Sequence, residues 1–340
     1  MSGVTIAIST LDLPLVHPFK IARGEERVAH SVLLRAFWHG IEGLGEASPS
    51  SRYGETVAGV IEHFATQPPL ISDPYRLESI LGAHMPAAAR CALDIALHDL
   101  IGKHLEKPLY ALLGLDPEAT PATSFTIGIA DPQTTLLKVA QIAHHPILKV
   151  KLGAGTDEEQ IETIALIRER YRGAIRIDAN EAWTPQGAQR MLTALEPYEI
   201  EFCEQPIPAG NHAALRTLRE RVRIPIIADE DARVPSDLAS LYGCVDGINI
   251  KLVKCGGIRP ALAMIHTARA LGMRVMLGCM VESAIATTAA AHLSPLVDYA
   301  DLDGPFLTSA DPFTGVTYDR GKLVLPNGPG LGIVEATVVA

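Results

Sequence analysis

Residues 147–178 read ILKVKLGAGTDEEQIETIALIRERYRGAIRID, and this stretch decides the fold. Residues 147–152 are a short apolar run with lysines at alternate positions, the pattern of a strand. A glycine-containing turn follows. Thr156-Asp-Glu-Glu159 then has the form of a capping box, and Ile161, Ile164 and Ile167 continue at helical spacing. Residues 174–178 make the next strand. The same rhythm runs both ways along the chain, with strand-like runs at 124–129, 200–204, 225–229, 247–252, 274–278 and 299–303. Their starts lie roughly 25 residues apart, about what a strand, a helix and two short loops consume. Eight runs, each but the last followed by helical text, predict a parallel α/β barrel of the TIM type. An open doubly wound sheet is the competing arrangement.

Upstream the text differs. A strand is predicted at 32–39, with a turn at Gly40-Ile41-Glu42-Gly43 leading into another, and helices at 55–66 and 86–104. In the second helix Ala88, Cys91, Ala92, Ile95 and Leu100 recur on one face, which should be buried. Punctuation at 114–121 ends this unit. We therefore expect an α+β domain at 1–120 and a barrel at 121–314, with 315–340 returning to pack on the first domain.

Hydrophobic residues at 48% and charged residues at 20% describe a folded chain, not a disordered one. Lys+Arg at 29 against Asp+Glu at 39 gives a formal charge of -10. That balance opposes nucleic acid and anionic membrane as partners. The five cysteines, Cys91, Cys203, Cys244, Cys255 and Cys279, form no C-x-x-C pair, so reduced thiols in a cytoplasm are expected. Val4, Ile6 and Ile8 alternate as in a strand, with no basic flank of a signal peptide, and no apolar run reaches membrane-spanning length.

In such barrels the strand C-termini form the active site. Asp178, Glu204 and Asp229 end three successive runs, Lys149 and Lys151 share one, Lys251 lies in another, and Asp301 and Asp303 share the last. Charges inside a barrel need partners. One arrangement pairs these carboxylates with the lysines as salt bridges. The other uses the three carboxylates as an oxygen-only site for a hard cation such as Mg²⁺. Lys151 and Lys251, on roughly diametric strands, would flank a substrate as acid and base. For that a lysine needs its pKa lowered, and Lys149, Lys254 or the metal would supply the repulsion. A lone lysine forming a Schiff base is the alternative, and it needs no carboxylate trio.

Five motifs occur in order at barrel spacing: Lys149-Val-Lys151, Asp178-Ala-Asn180-Glu-Ala-Trp183, Glu204-Gln-Pro206, Ala228-Asp229-Glu230 and Asn249-Ile-Lys251. With Ala92-Leu-Asp94-Ile-Ala-Leu-His98-Asp99 upstream, they resemble the enolase superfamily in its muconate-lactonizing subgroup. The resemblance implies a capping α+β domain over a modified (β/α)₇β barrel. It implies that Asp178, Glu204 and Asp229 hold one Mg²⁺ per subunit, and that Lys151 and Lys251 are the acid/base pair. The shared step is removal of a proton next to a carboxylate, giving an enediolate stabilised by Mg²⁺. Lys149, Thr126, Arg23, Cys279, Met280, Asp301 and Asp303 are the substrate-binding residues it implies.

Within the subgroup, Asp301-Leu-Asp303-Gly304 looks like the paired aspartates with which dipeptide epimerases hold a free α-ammonium group. Ile21-Ala-Arg23-Gly24-Glu25, Arg52-Tyr53-Gly54-Glu55-Thr56 and Leu277-Gly-Cys279-Met280 resemble the bacterial L-Ala-D/L-Glu epimerases. The implied function is inversion of the α-carbon of a dipeptide's C-terminal residue by two-base 1,1-proton transfer. The implied setting is a cytoplasmic homo-oligomer in peptidoglycan-peptide recycling. N-acylamino acid racemase, o-succinylbenzoate synthase and muconate cycloisomerase are the alternatives, and a binding protein that has lost the chemistry is another. Gly153-Ala-Gly155 reads as a plain strand-to-helix turn, His98 and Asp99 as structural, and Cys279 as a small wall residue and not a nucleophile.

Overall fold

The computed structural model describes residues 3–21, 24–80 and 85–336. Strands β1 (Thr5–Ile21), β2 (Gly24–Trp38) and β3 (Ile41–Ala47) form an antiparallel sheet in that order. The β2–β3 turn falls at His39-Gly40, with φ of 51° and 78°, as a two-residue hairpin demands. Ile41 to Gly43, expected as turn, are instead in strand β3. The expected first helix begins two residues late, at Val57–Thr66, because the Thr56 side chain caps it by accepting the Gly59 N–H at 3.0 Å.

The second helix, Ala87–His104, buries far more than one face: from Ala88 to Gly102 every residue except Arg90 is buried. It is enclosed on several sides, by the sheet and by the barrel's loops, and its apolar side chains run all round accordingly. The sheet lies flush on it. A Cβ on Gly45 would collide with the carbonyl of Ala92, so only glycine permits this approach.

Strands β4 (Phe125–Ile127), β5 (Ile147–Lys151), β6 (Ala174–Asp178), β7 (Ile200–Glu204), β8 (Ile226–Ala228), β9 (Gly247–Ile250), β10 (Arg274–Gly278) and β11 (Tyr299–Asp301) form a parallel eight-stranded sheet in sequence order. A parallel bridge between Thr123 and Ala300 joins its two edges into a barrel. This decides against the open sheet. The capping box at Thr156 and Glu159 starts the helix Asp157–Arg170 as read. Inside the barrel a floor of Phe202, Ile227, Met276 and Tyr299 surrounds the Arg176 guanidinium, which lies over two of those rings at 5.0–5.1 Å. The floor closes the barrel below and leaves its upper end for polar residues.

The C-terminal segment bonds to both halves. The Leu331 N–H reaches Asp99 of the Ala87–His104 helix at 2.8 Å, Glu335 accepts from Arg35 of β2, and Gly321 O accepts the Thr123 N–H at the barrel entrance. Among the described residues no helix is long and apolar enough to cross a membrane.

Candidate active site

Parallel register decides which side chains share a level. Lys151 pairs with Asp178, and Asp178 with Glu204. Glu204 lies opposite Ile227, so Asp229 stands one inward position higher on the next strand. Thr126 is level with Lys149, and Asp301 with Gly278. Alternation then turns Lys149, Lys151, Asp178, Glu204, Asp229, Asn249, Lys251 and Asp301 inward above the floor. All are buried except Lys151, which is half-buried. In the eight-stranded order β5 and β9 are four strands apart, so Lys151 and Lys251 face each other across the barrel.

Each carboxylate turns an oxygen to a lysine. Lys149 Nζ lies 2.6 Å from Asp301, 2.6 Å from Glu204 and 3.3 Å from Asp178. Lys151 donates to Asp178 at 2.6 Å and Lys251 to Asp229 at 2.9 Å. Lys254 grips Asp229 twice, at Oδ1 (2.5 Å) and at its carbonyl (2.6 Å). Asn249 donates to Glu204 Oε1 at 2.7 Å, and the Asn180 N–H to Asp178 Oδ1 at 2.8 Å. Among the described residues no three acidic groups converge on one point. The salt-bridge arrangement is thus present.

It does not hold the three carboxyls alike. Burial raises the Glu204 carboxyl and Asp178 and Asp229 raise it further, against Lys149, so that it reaches about 7. Asp178 and Asp229 move the other way, since their lysines outweigh burial. Glu204, in the middle of the trio, is therefore the carboxyl that ionises least readily, because it sits in the negative potential of its two neighbours. In donor chemistry the three carboxylates on successive strands, with no nitrogen or sulfur among them, suit a hard divalent cation.

Lys149 acts downward on Lys251 without lowering it on balance. Burial acts downward, but Asp229 and Glu204 outweigh it and hold the ammonium above its ordinary value. Lys149 likewise is held well up, by Asp301, Glu204 and Asp178 against burial. The expected ammonium–ammonium repulsion is overridden because the carboxylates are the groups in contact.

Asp301 and Asp303 are not equivalent. Asp301 is occupied by Lys149 and by the Ser124 hydroxyl at 2.5 Å. Asp303 accepts the Thr126 N–H at 2.7 Å on Oδ2, and its Oδ1 stands 4.0 Å from Cys279 Sγ. Burial and the neighbouring Asp301 push the Asp303 carboxyl up to about 6. Both line a cavity of about 620 Å³ with Thr126, Lys149, Lys151, Lys251, Cys279 and Met280. Burial pushes the Cys279 thiol far up, as a wall residue and not a nucleophile would have it. Arg23 lies outside the described residues.

Several lining residues were not identified from sequence. His30 of β2, Ser51 and Tyr53 of the loop after β3, and Leu307 beyond β11 all face the cavity. Arg52 beside them reaches across to Glu181 in two bonds, at 2.8 and 2.7 Å. Asn249 was findable, two residues before Lys251 on one strand face. Arg52 and Tyr53 carried a signal only through the motif in which they resemble the epimerases, because only the docking of the N-terminal sheet brings that loop over the barrel.

Residues 4–114 match the model described as mandelate racemase / muconate lactonizing enzyme, N-terminal domain, and residues 135–335 match enolase C-terminal domain-like. The L-Ala-D/L-Glu epimerase of Bacteroides thetaiotaomicron is 41% identical over 333 residues, 95% of this chain and 86% of that protein. A dipeptide epimerase from Cytophaga hutchinsonii, solved with Mg and D-Ala-L-Val, superposes with a TM-score of 0.93 at 33% identity, covering 99% of this chain and 97% of the other. The substrate-liganded L-Ala-D/L-Glu epimerase of Bacillus subtilis gives 0.94 at 30% identity, covering 99% and 100%. With both halves matched and such relatives spanning almost the whole chain, the protein belongs to the enolase superfamily, in the mandelate racemase and muconate lactonizing enzyme family.

Proposed function

We propose that this protein is a Mg²⁺-dependent dipeptide epimerase that inverts the α-carbon of the C-terminal residue, as in L-Ala-L-Glu to L-Ala-D-Glu. The observation that carries this reading is the placement of Lys151 and Lys251 on diametric strands, facing one cavity that Asp303 closes on a third side. A tetrahedral α-carbon held between a neutral amine and an ammonium loses its proton to the amine, becomes planar, and takes a proton from the ammonium on the opposite face, which inverts it. Asp178, Glu204 and Asp229 would hold the cation, which when bound stabilises negative charge developing on the substrate carboxylate. Lys149 holds Asp301 and Glu204 in place below the reacting carbon. Asp303, with one oxygen not taken by the backbone, would receive the dipeptide's ammonium group, and Thr126 would orient that aspartate. Cys279 and Met280 would wall the site, and Arg23 would meet the substrate side chain. Five free cysteines support a cytoplasmic location, and peptidoglycan-peptide recycling is the pathway we assign. The test is proton NMR in D₂O across a dipeptide library with Mg²⁺ present. Loss of the α-proton signal of the C-terminal residue, with appearance of the second epimer, is the expected result. No exchange with any free dipeptide would end the reading.

A further inference from the structure

Lys251 stands at a junction that the barrel alone does not hold. It is the N-cap of a one-turn helix, Leu252–Cys255, and its carbonyl accepts the N–H groups of Lys254 at 3.0 Å and Cys255 at 3.2 Å. Gly256 and Gly257, with φ of 94° and 113°, both donate to Leu252 O at 2.8 Å and lead into the helix Ile258–Ala270. The link from this turn to the next helix is gripped on either side of its two glycines by the Ala87–His104 helix. Arg90 Nη2 donates to the Cys255 carbonyl at 2.9 Å, and Asp94 Oδ2 accepts the Ile258 N–H at 2.5 Å. A side chain on Gly256 would collide with Arg90, and one on Gly257 with Asp94, so the helix lies directly against the turn's backbone. The same turn carries Lys254, which fixes Asp229, the partner of Lys251.

Lys151 is held differently. Its strand is laddered to β4 and β6, and the next N–H, Leu152, donates to Asp178 O at 2.8 Å. Among the described residues the Ala87–His104 helix makes no hydrogen bond to β5.

We propose that Arg90 and Asp94 are positioning residues for Lys251, so that the helix leading out of the capping domain places one base while the sheet places the other. The proposal rests on reading Lys151 and Lys251 as a two-base pair. Its consequence is a one-sided defect. A base displaced by about 1 Å loses up to about a hundredfold in rate, whereas the opposite base keeps its geometry.

The test uses the full-length protein with R90M, D94N and the conservative R90K, each checked by thermal melting, and two readouts. Amine acylation followed by mass spectrometry compares the labelling rates of Lys251 and Lys151. Proton NMR in D₂O follows α-proton exchange from each epimer of an active dipeptide, with the Lys251 face assigned from Lys251→Ala. In R90M and D94N we expect faster labelling of Lys251 alone, and exchange on its face reduced about tenfold with the other face little changed. R90K should restore both. Folded variants in which both lysines shift together, or neither does, overturn the proposal. If the unsubstituted protein exchanges no dipeptide, the two-base reading fails separately, and labelling still decides whether the helix places Lys251.

Discussion

At the scale of single residues, the two lysines divide the work by face. Replacing Lys251 with alanine should abolish net epimerisation while exchange from the Lys151 face survives, and Lys151→Ala should do the reverse. Normal epimerisation by Lys251→Ala would remove the two-base assignment. Asp303 makes a second prediction. A charge-assisted contact to a buried ammonium is worth about 1.5–3 kcal/mol, roughly tenfold to a hundredfold in kcat/KM. N-acetylated dipeptides should therefore react far more slowly than free ones, and Asp303→Asn should narrow that gap by hurting the free substrate. Equal efficiency on both substrates would redirect the assignment to an N-acylamino acid racemase. Because the Asp303 carboxyl sits near 6, kcat/KM for the free dipeptide should fall as pH drops below that value. The same raised value has a stability sign. Asp303 leaves the fold undisturbed below its unfolded value of 3.8 and weakens it as pH rises through about 6. Thermal melts of the metal-free protein should thus show Asp303→Asn gaining Tm at pH 8 relative to pH 4.

At the scale of elements, the decisive contact is between β3 and the Ala87–His104 helix. The strand's glycines let its backbone lie against the helix, and so cover the side that the barrel's loops leave open. Gly45→Ala forces the two apart at Ala92. Overpacking of this kind costs about 1–3 kcal/mol, and chemical denaturation should find that loss. Activity should fall with it, because β3 leads directly into the loop carrying Ser51, Arg52 and Tyr53 over the cavity. A stability within about 0.5 kcal/mol of the parent would show that the helix and sheet accommodate the methyl group.

At the scale of the whole molecule, the acidic trio should couple metal binding to stability. Chelation should abolish turnover and Mg²⁺ restore it, and the melting temperature should rise with Mg²⁺ concentration. At a hundred times Kd the linkage is worth about 2.7 kcal/mol. Full activity in exhaustively demetallated protein would exclude the role we assign to Asp178, Glu204 and Asp229. The barrel was legible in residues 124–303 because a strand that alternates burial writes its period into the chain. Lys151, Asp178, Glu204 and Lys251 were legible for the same reason: each ends or nearly ends such a run. The Ala87–His104 helix was read as having one buried face, since amphipathic spacing cannot report that a second layer will cover the other. The paired reading of Asp301 and Asp303 came from their spacing, which places both on one side. That Lys149 occupies one and leaves the other to the cavity depends on β5 and β11 meeting through β4 in the closed barrel. The sequence by itself determined the order of strands, the inward residues and the charges among them, because these are local and periodic. Tertiary structure alone decided which ammonium meets which carboxylate, and which capping loop and linking helix reach the site, because such contacts join residues from 22 to 165 positions apart.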